Sequence, residues 1–218
     1  MIVSVVIPVY NEEENVVELL NRLTSLKGEY EFVIVDDGST DKTFSLLEEN
    51  AAKDGRIKPV HTEHLGQSSA LQAGFTAAGG EVVVTMDGDL QYDPADIPSL
   101  VDKLSGFDLV CGRRMNKKFS AGRVVLSDFA NLCAYMATGV RLHDQGCTFK
   151  AYRKEAAKSL RLKGFMHRYI TILLARKGYK VTETPVKHYP RLKGKSKYGY
   201  SRIFTAPIDF FRNYFLAK

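Results

Sequence analysis

The chain has 218 residues, 44 % of them hydrophobic, which is enough for one domain of ordinary to large size with a real core. Its net charge of +6 and pI near 9.1 favour anionic partners, namely nucleotides, nucleic acid or an acidic membrane surface. The three cysteines (Cys111, Cys133 and Cys147) are odd in number, widely spaced and form no C-x-x-C pair, which reads as small core residues in a reducing compartment rather than a disulfide set or a zinc site. No stretch reaches the eighteen or so apolar residues of a membrane span, and no basic segment precedes the first apolar run as it does in a signal peptide.

Ile2 to Val9 reads as an apolar strand. Asn11 is suited to cap the helix that follows, in which Val16, Leu19, Leu20 and Leu23 recur at helical spacing. Phe32 to Val35 is a second strand ending in Asp36-Asp37-Gly38-Ser39, with Asp41 as cap of the next helix. Ile57 to His61 is a short third strand, and Gly66 to Ala78 an alanine-rich helix stopped by Gly79-Gly80. Val82 to Met86 is a β-branched run of the kind buried in parallel sheets. Asp93-Pro94 opens another helix, and Leu109 to Cys111 is a further strand. This alternation predicts an α/β fold: a mostly parallel sheet with helices on both faces.

After Gly112 the pattern changes. Arg123 to Gly139 reads as an amphipathic helix, Thr148 to Tyr152 as a strand returning to the sheet edge, Met166 to Lys177 as a helix and Lys180 to Val186 as a strand. Pro190 to Tyr200 is a basic loop. Phe204, Ile208, Phe211 and Phe215 then form one helical stripe. The resulting division is an α/β domain over 1–200 and an amphipathic helix over 201–218.

Asp87-Gly88-Asp89, after the Val82 run, carries the most chemical information. Two acids one residue apart at a strand tip are costly to shelter unpaired, and a hard divalent cation resolves the conflict with oxygen ligands. Gly88 is expected to let backbone and ligand approach closely. The plain alternative is a solvated turn, just as Asp36 and Asp37 are able to cap a turn and nothing more. What favours a site is that the tips at Pro8 to Glu12, Asp36 to Ser39 and Asp87 to Asp89 fall along one edge of a parallel sheet and so surround one cleft. Tyr10 is able to pack on a base there, and the carboxylates to accept from ribose or base. Neither a G-x-G-x-x-G fingerprint nor a P-loop is present.

Ile7-Pro8-Val9-Tyr10-Asn11-Glu12, Val35 to Asp41 and Met86-Asp87-Gly88-Asp89-Leu90-Gln91 together resemble the successive signatures of family-2 glycosyltransferases. Gly112-Arg113-Arg114, Arg123 with Ser127, Asp144 to Cys147 and Gly194 to Tyr198 are similar to the polyprenyl-phosphate branch, which includes dolichyl- and undecaprenyl-phosphate sugar transferases. The resemblance implies the GT-A fold, a Rossmann-like nucleotide-sugar domain, with Mg²⁺ or Mn²⁺ as cofactor. It implies that Asp87, Asp89 and Gln91 meet the metal and donor diphosphate, and that Pro8, Tyr10, Glu12 and Asp37 meet the nucleoside. Arg114, Arg123 and Ser127 would hold the acceptor phosphate. Lys193 falls where the family often has an arginine near the diphosphate. Asp144 is given an orienting role, or that of a structural turn acid.

The implied activity is inverting transfer of a hexose from a UDP- or GDP-sugar to a polyprenyl phosphate, at the cytoplasmic face of a membrane. Arg123 and Ser127, at i and i+4, share one helix face and suit a phosphate. Between Glu183 and Asp209 there is no acid, while Lys187, Arg191, Lys193, Lys195, Lys197 and Arg202 are basic. With the phenylalanine stripe this describes a peripheral helix at a membrane surface; the bland reading is a helix docked on the domain. The stripe is also able to pair two chains as a homo-oligomer. Two alternatives stand beside this reading: a family-2 transferase acting on a sugar or protein hydroxyl, and a non-catalytic nucleotide-binding module. Nucleic acid is not an expected partner, because the basic residues cluster near the C-terminus rather than interleaving with aromatics.

Overall fold

The structure is a computed structural model, and it describes residues 1–115, 132, 135–136 and 138–191. Arg123, Ser127, Lys193, Cys133 and the stripe over 201–218 lie outside the described residues.

Seven strands form one sheet: β1 (Val3–Val9), β2 (Tyr30–Asp37), β3 (Ile57–Thr62), β4 (Val82–Thr85), β5 (Leu109–Arg114), β6 (Lys150–Arg153) and β7 (Val181–Val186). Their spatial order is β3-β2-β1-β4-β6-β5-β7. The pairs β1–β2, β2–β3, β1–β4 and β5–β7 are parallel, and β6 runs antiparallel to both of its neighbours. The α-helices that lie wholly within the described residues are α1 (Val16–Thr24), α2 (Thr43–Ala51), α3 (Gln67–Ala77), α4 (Ile97–Asp102), α5 (Lys154–Ser159) and α6 (Ile170–Arg176).

The strand residues alternate between two cores. Val5, Ile7, Phe32, Ile34 and Val84 pack with α1, α2 and α4 through Leu19, Leu20, Leu47, Ile97 and Leu100. Val6, Val33, Val35 and Val83 pack with α3, α5 and α6 through Ala70, Phe75, Ala156, Ala157 and Leu174. Every one of these side chains is essentially out of water, so the expected layers on both faces are present. Cys111 and Cys147 are buried free thiols, as small core residues should be.

Two local expectations are corrected. The Thr148–Tyr152 strand does not reach the sheet edge: β6 enters the middle, between β4 and β5, and β7 forms the edge. Its Ala151 and Tyr152 fill opposite cores, and the buried Lys150 ammonium donates to the Cys147 and Gln145 carbonyls, which makes a cation tolerable at that depth. Asn11 does not cap α1, which starts at Val16. Instead it adopts φ 50°, and its Oδ1 accepts from Thr40 N at 2.7 Å, tying the β1 and β2 loops together. Asp41 stands one residue before the N-cap, Lys42, and its Oδ1 accepts from Thr43 N, the first residue of α2, at 2.9 Å.

Candidate active site

β1 leads to β2 on one side and pairs with β4 on the other, so the sheet's switch point opens between the carboxyl ends of β1 and β4. A cleft of about 1020 Å³ lies there. Pro8, Tyr10, Glu12, Asp37, Asp87, Asp89 and Gln91 all line it, so seven of the residues singled out from sequence meet at one place.

Asp87 sits at the floor. Its Oδ2 accepts from Thr148 Oγ1 at 2.5 Å and its Oδ1 from Gln67 Nε2 at 3.1 Å. Burial pushes its pKa up, against the pull of Thr148 and the charges of Arg114, Lys150 and Arg191. Asp89 is pushed up to about 6 by burial and then by Asp87; the Gln91 N–H and Arg191 oppose the rise. The loop between them is built tightly. A Cβ on Gly88 would stand 2.6 Å from Val9 Cγ1, so the loop packs closely under β1 only with glycine here, and Gly88 itself lines the cleft. Leu90 carries φ 61° and is held there by burial in the core, with strain tolerated beside the acids.

Arg191 enters from the far end of the chain. Its Nη2 lies 2.9 Å from Glu12 Oε1 and 3.5 Å from Asp89 Oδ2. The Gln91 carbonyl accepts from Tyr189 N at 2.8 Å, and Gln91 Nε2 donates to the Tyr189 carbonyl at 3.1 Å. Gln91, singled out as a metal or diphosphate ligand, therefore anchors the segment after β7 that delivers Arg191. Glu12 Oε2 accepts from Asn15 Nδ2 at 2.6 Å.

At the other end of the cleft, Asp37 holds the loop before α3: its carboxylate accepts from Leu65 N at 3.0 Å and Gly66 N at 3.0–3.1 Å. Asp36 is buried against His61 Nδ1 at 2.8 Å and does not line the cleft, whereas Asp37 does. Ser68 Oγ fixes His167 through its Nδ1 at 2.8 Å and its main-chain N at 3.0 Å.

Arg114 does not line this cleft. Its Nε and Nη2 grip Asp144 at 2.8 and 2.9 Å in a bidentate pair, and its main-chain N adds a third contact. Arg123, Ser127 and Lys193 lie outside the described residues. Sequence reasoning missed His64, Gln67, Thr148, His167 and Arg191 as cleft residues. Arg191 had one usable signal, its place in the basic run; the others sit singly in loops or at a helix start.

Residues 4–161 match the family Glycosyl transferase family 2. The chain belongs to that family. It is 40 % identical over 217 residues to dodecaprenyl-phosphate galacturonate synthase of Rhizobium johnstonii, covering 94 % of this chain and 64 % of that one. It is 40 % identical over 214 residues to undecaprenyl-phosphate 4-deoxy-4-formamido-L-arabinose transferase of Pseudomonas fluorescens, with 95 % and 63 % covered. The chain thus spans less than two thirds of the length of these relatives. Its fold is similar to glucosyl-3-phosphoglycerate synthase of Mycobacterium tuberculosis bound to Mn²⁺, UDP and glucosyl-3-phosphoglycerate. The TM-score is 0.66 at 22 % identity, over 88 % of this chain and 72 % of that one. The fold is the GT-A architecture that the three family-2 motifs imply, with β6 as the antiparallel insertion. Among the described residues no helix is long and apolar enough to cross a membrane.

Proposed function

We propose that this glycosyltransferase moves a sugar from a nucleoside-diphosphate donor to the phosphate of a polyprenyl phosphate, with inversion at the anomeric carbon, at the cytoplasmic face of a membrane. The observation that carries the reading is the pair Asp87 and Asp89, both with raised pKa, in a cleft large enough for a nucleotide sugar. Support for the acceptor comes from the two relatives above, whose names join a sugar to dodecaprenyl or undecaprenyl phosphate.

The acids suit a hard divalent cation, Mg²⁺ or Mn²⁺, because both offer oxygen donors and burial alone leaves their charge poorly compensated. Among the described residues no three His, Cys, Asp or Glu side chains gather into a metal cage. That fits a cation shared with the donor's phosphates and water rather than one held by protein alone. When bound, it would neutralise charge building on the leaving diphosphate. In the same reading Tyr10 packs on the base, Glu12 accepts from the ribose, and Arg191 adds the positive charge that the resemblance assigns near Lys193.

A phosphate acceptor is already an anion near pH 7, so its oxygen can attack the anomeric carbon without a base. The new C–O bond forms as the bond to the diphosphate oxygen breaks, and the nucleoside diphosphate departs. The state of Asp144 agrees with this. Its two oxygens are engaged by Arg114 and it is buried, an arrangement suited to orienting Arg114 rather than to taking a proton from a hydroxyl. Arg123 and Ser127 complete the proposed phosphate clamp, and the phenylalanine stripe within 201–218 is proposed to meet the membrane.

The test is a screen of nucleotide sugars with Mg²⁺ or Mn²⁺ and a short polyprenyl phosphate. Transfer giving a β-linked product from an α-linked donor, read by NMR, is expected. Retention of configuration would overturn the one-step displacement, and transfer only to hydroxyl acceptors would overturn the lipid-phosphate reading.

A further inference from the structure

The segment after β7 is tied, residue by residue, to the loop that follows the paired acids. Lys187 N donates to Asp96 Oδ2 at 2.9 Å. The His188 ring meets the edge of the buried Tyr92 ring with centroids 5.2 Å apart. The Tyr189 N–H and carbonyl make the two bonds with Gln91 described above. Each anchor lies nearer the acids than the one before, so the main chain arrives beside Asp89 with its course already fixed. What remains variable is the long side chain of Arg191.

That side chain reaches two acids at once. Its Nη2 is 2.9 Å from Glu12 Oε1 and 3.5 Å from Asp89 Oδ2, and none of the three side chains is more than 20 % exposed. Asp87 feels the same positive charge. A guanidinium does not release its proton, so Arg191 is a permanent cation set among three carboxylates. Water is largely kept from these groups, and charges there are weakly screened. Arg191 and a divalent cation on Asp89 would therefore repel each other at short range.

We propose, resting on the metal and donor reading above, that Arg191 is a stand-in cation. In the metal-free protein it compensates Glu12 and Asp89, and it gives up Asp89 when a divalent cation binds. The exchange lowers affinity for the cation alone. A diphosphate reverses the effect, because it offers the guanidinium a new anion of matching geometry. Arg191 thus works against the cation before the donor arrives and alongside it afterwards, and so keeps a bare metal ion from settling in the cleft.

Mn²⁺ titration followed by paramagnetic resonance, without nucleotide, tests this on wild type, Arg191→Gln and Arg191→Lys. Melting in EDTA and in saturating Mn²⁺ adds a second readout independent of turnover. Arg191→Gln keeps hydrogen-bond donors and loses the charge. It is expected to bind Mn²⁺ alone more tightly by roughly tenfold, to melt below wild type in EDTA, and to narrow that gap once Mn²⁺ saturates the site. Arg191→Lys, which keeps the charge, should stay near wild type in both readouts. Equal or weaker Mn²⁺ binding by folded Arg191→Gln overturns the proposal, as does melting in EDTA at or above wild type. Folding of Arg191→Gln only with Mn²⁺ present supports it, and failure to fold under both conditions overturns it. Folded wild type and variants that bind no Mn²⁺, with or without UDP or GDP, overturn the metal reading itself.

Discussion

Replacing Asp89 by asparagine should stabilise the metal-free protein while abolishing turnover. Asp89 is moved from the usual 3.8 to about 6, chiefly by burial and then by the adjacent Asp87 charge, with Gln91 and Arg191 offsetting only part. Its side chain is 16 % exposed, so solvent screening discounts the effect little. Such a shift corresponds to at most about 3 kcal/mol at 25 °C. The sign follows from which state holds the proton. Between pH 4 and 6 the folded protein binds more protons at this site than the unfolded one, so this contribution to stability falls as pH rises through that window and is fully lost above it. Because Asp87 is raised as well, the titration belongs to the pair. Asparagine keeps the shape and an acceptor for the Gln91 N–H, and it removes the charge. At pH 7.5 in EDTA, Asp89→Asn is expected to melt higher by up to roughly 6–12 °C for a chain of this length. The gain should vanish near pH 4. Calorimetry or urea denaturation across pH 4–8 reads both. A variant that melts lower than wild type at pH 7.5, with the pH slope unchanged, would refute the claim that the acids are held at the expense of fold stability.

Three further outcomes follow from single contacts. Thr148→Val removes the hydroxyl that holds Asp87 Oδ2 and is expected to weaken Mn²⁺ binding and turnover by roughly 10–100-fold, with melting little changed; calorimetric Mn²⁺ titration checks it. Gly88→Ala forces a methyl against Val9 and should cost about 1–3 kcal/mol in urea denaturation. Glu31, buried, accepts from Ser4, Lys58 and the Gly79 and Gly80 N–H groups; despite burial, which works against it, Lys58 and the other donors hold it down to about 2. Its stabilisation is present above pH 4.5 and lost as pH falls through about 2, so Glu31→Gln should cost up to about 3 kcal/mol at pH 7 and flatten the acid limb of the stability profile.

The strand tips were legible because two signals coincide there: short β-branched runs that bury on both faces, and acids placed where such runs end. Parallel topology then brings Pro8, Tyr10, Glu12, Asp37, Asp87 and Asp89 to one edge with no further information. The partners of these residues were not legible. Arg191 meets Glu12 across 179 positions of chain, and Thr148 meets Asp87 across 61. Neither distance leaves a local trace. β6 was misplaced for a related reason. Lys-Ala-Tyr-Arg lacks the apolar run that marks a central strand, and only the carbonyls of the Asp144–Cys147 turn make its lysine tolerable inside. Asn11 was read as a helix cap on its residue type alone, whereas the neighbouring β2 loop offers Thr40 N as a competing donor.

If the cleft takes a nucleoside-diphosphate donor as proposed, its charge layout predicts that donor and cation bind cooperatively. The chain is basic overall, yet Glu12, Asp87 and Asp89 line the cleft with Arg191 as the one lysine or arginine among its described lining residues. A nucleoside diphosphate brings more negative charge into that space and would be repelled unless a divalent cation came with it. Linkage makes the effect reciprocal: whatever factor the nucleotide gains from Mn²⁺, Mn²⁺ gains from the nucleotide. Protons compete for the same carboxylates, so the gain should shrink as pH falls below about 6. Titrating Mn²⁺ by paramagnetic resonance with and without UDP or GDP should show tighter binding with the nucleotide by at least tenfold at pH 7.5, equal in size to the effect of Mn²⁺ on nucleotide affinity. Independent binding of the two would mean that Arg191 alone compensates the diphosphate and that the buried acids serve some purpose other than holding a cation.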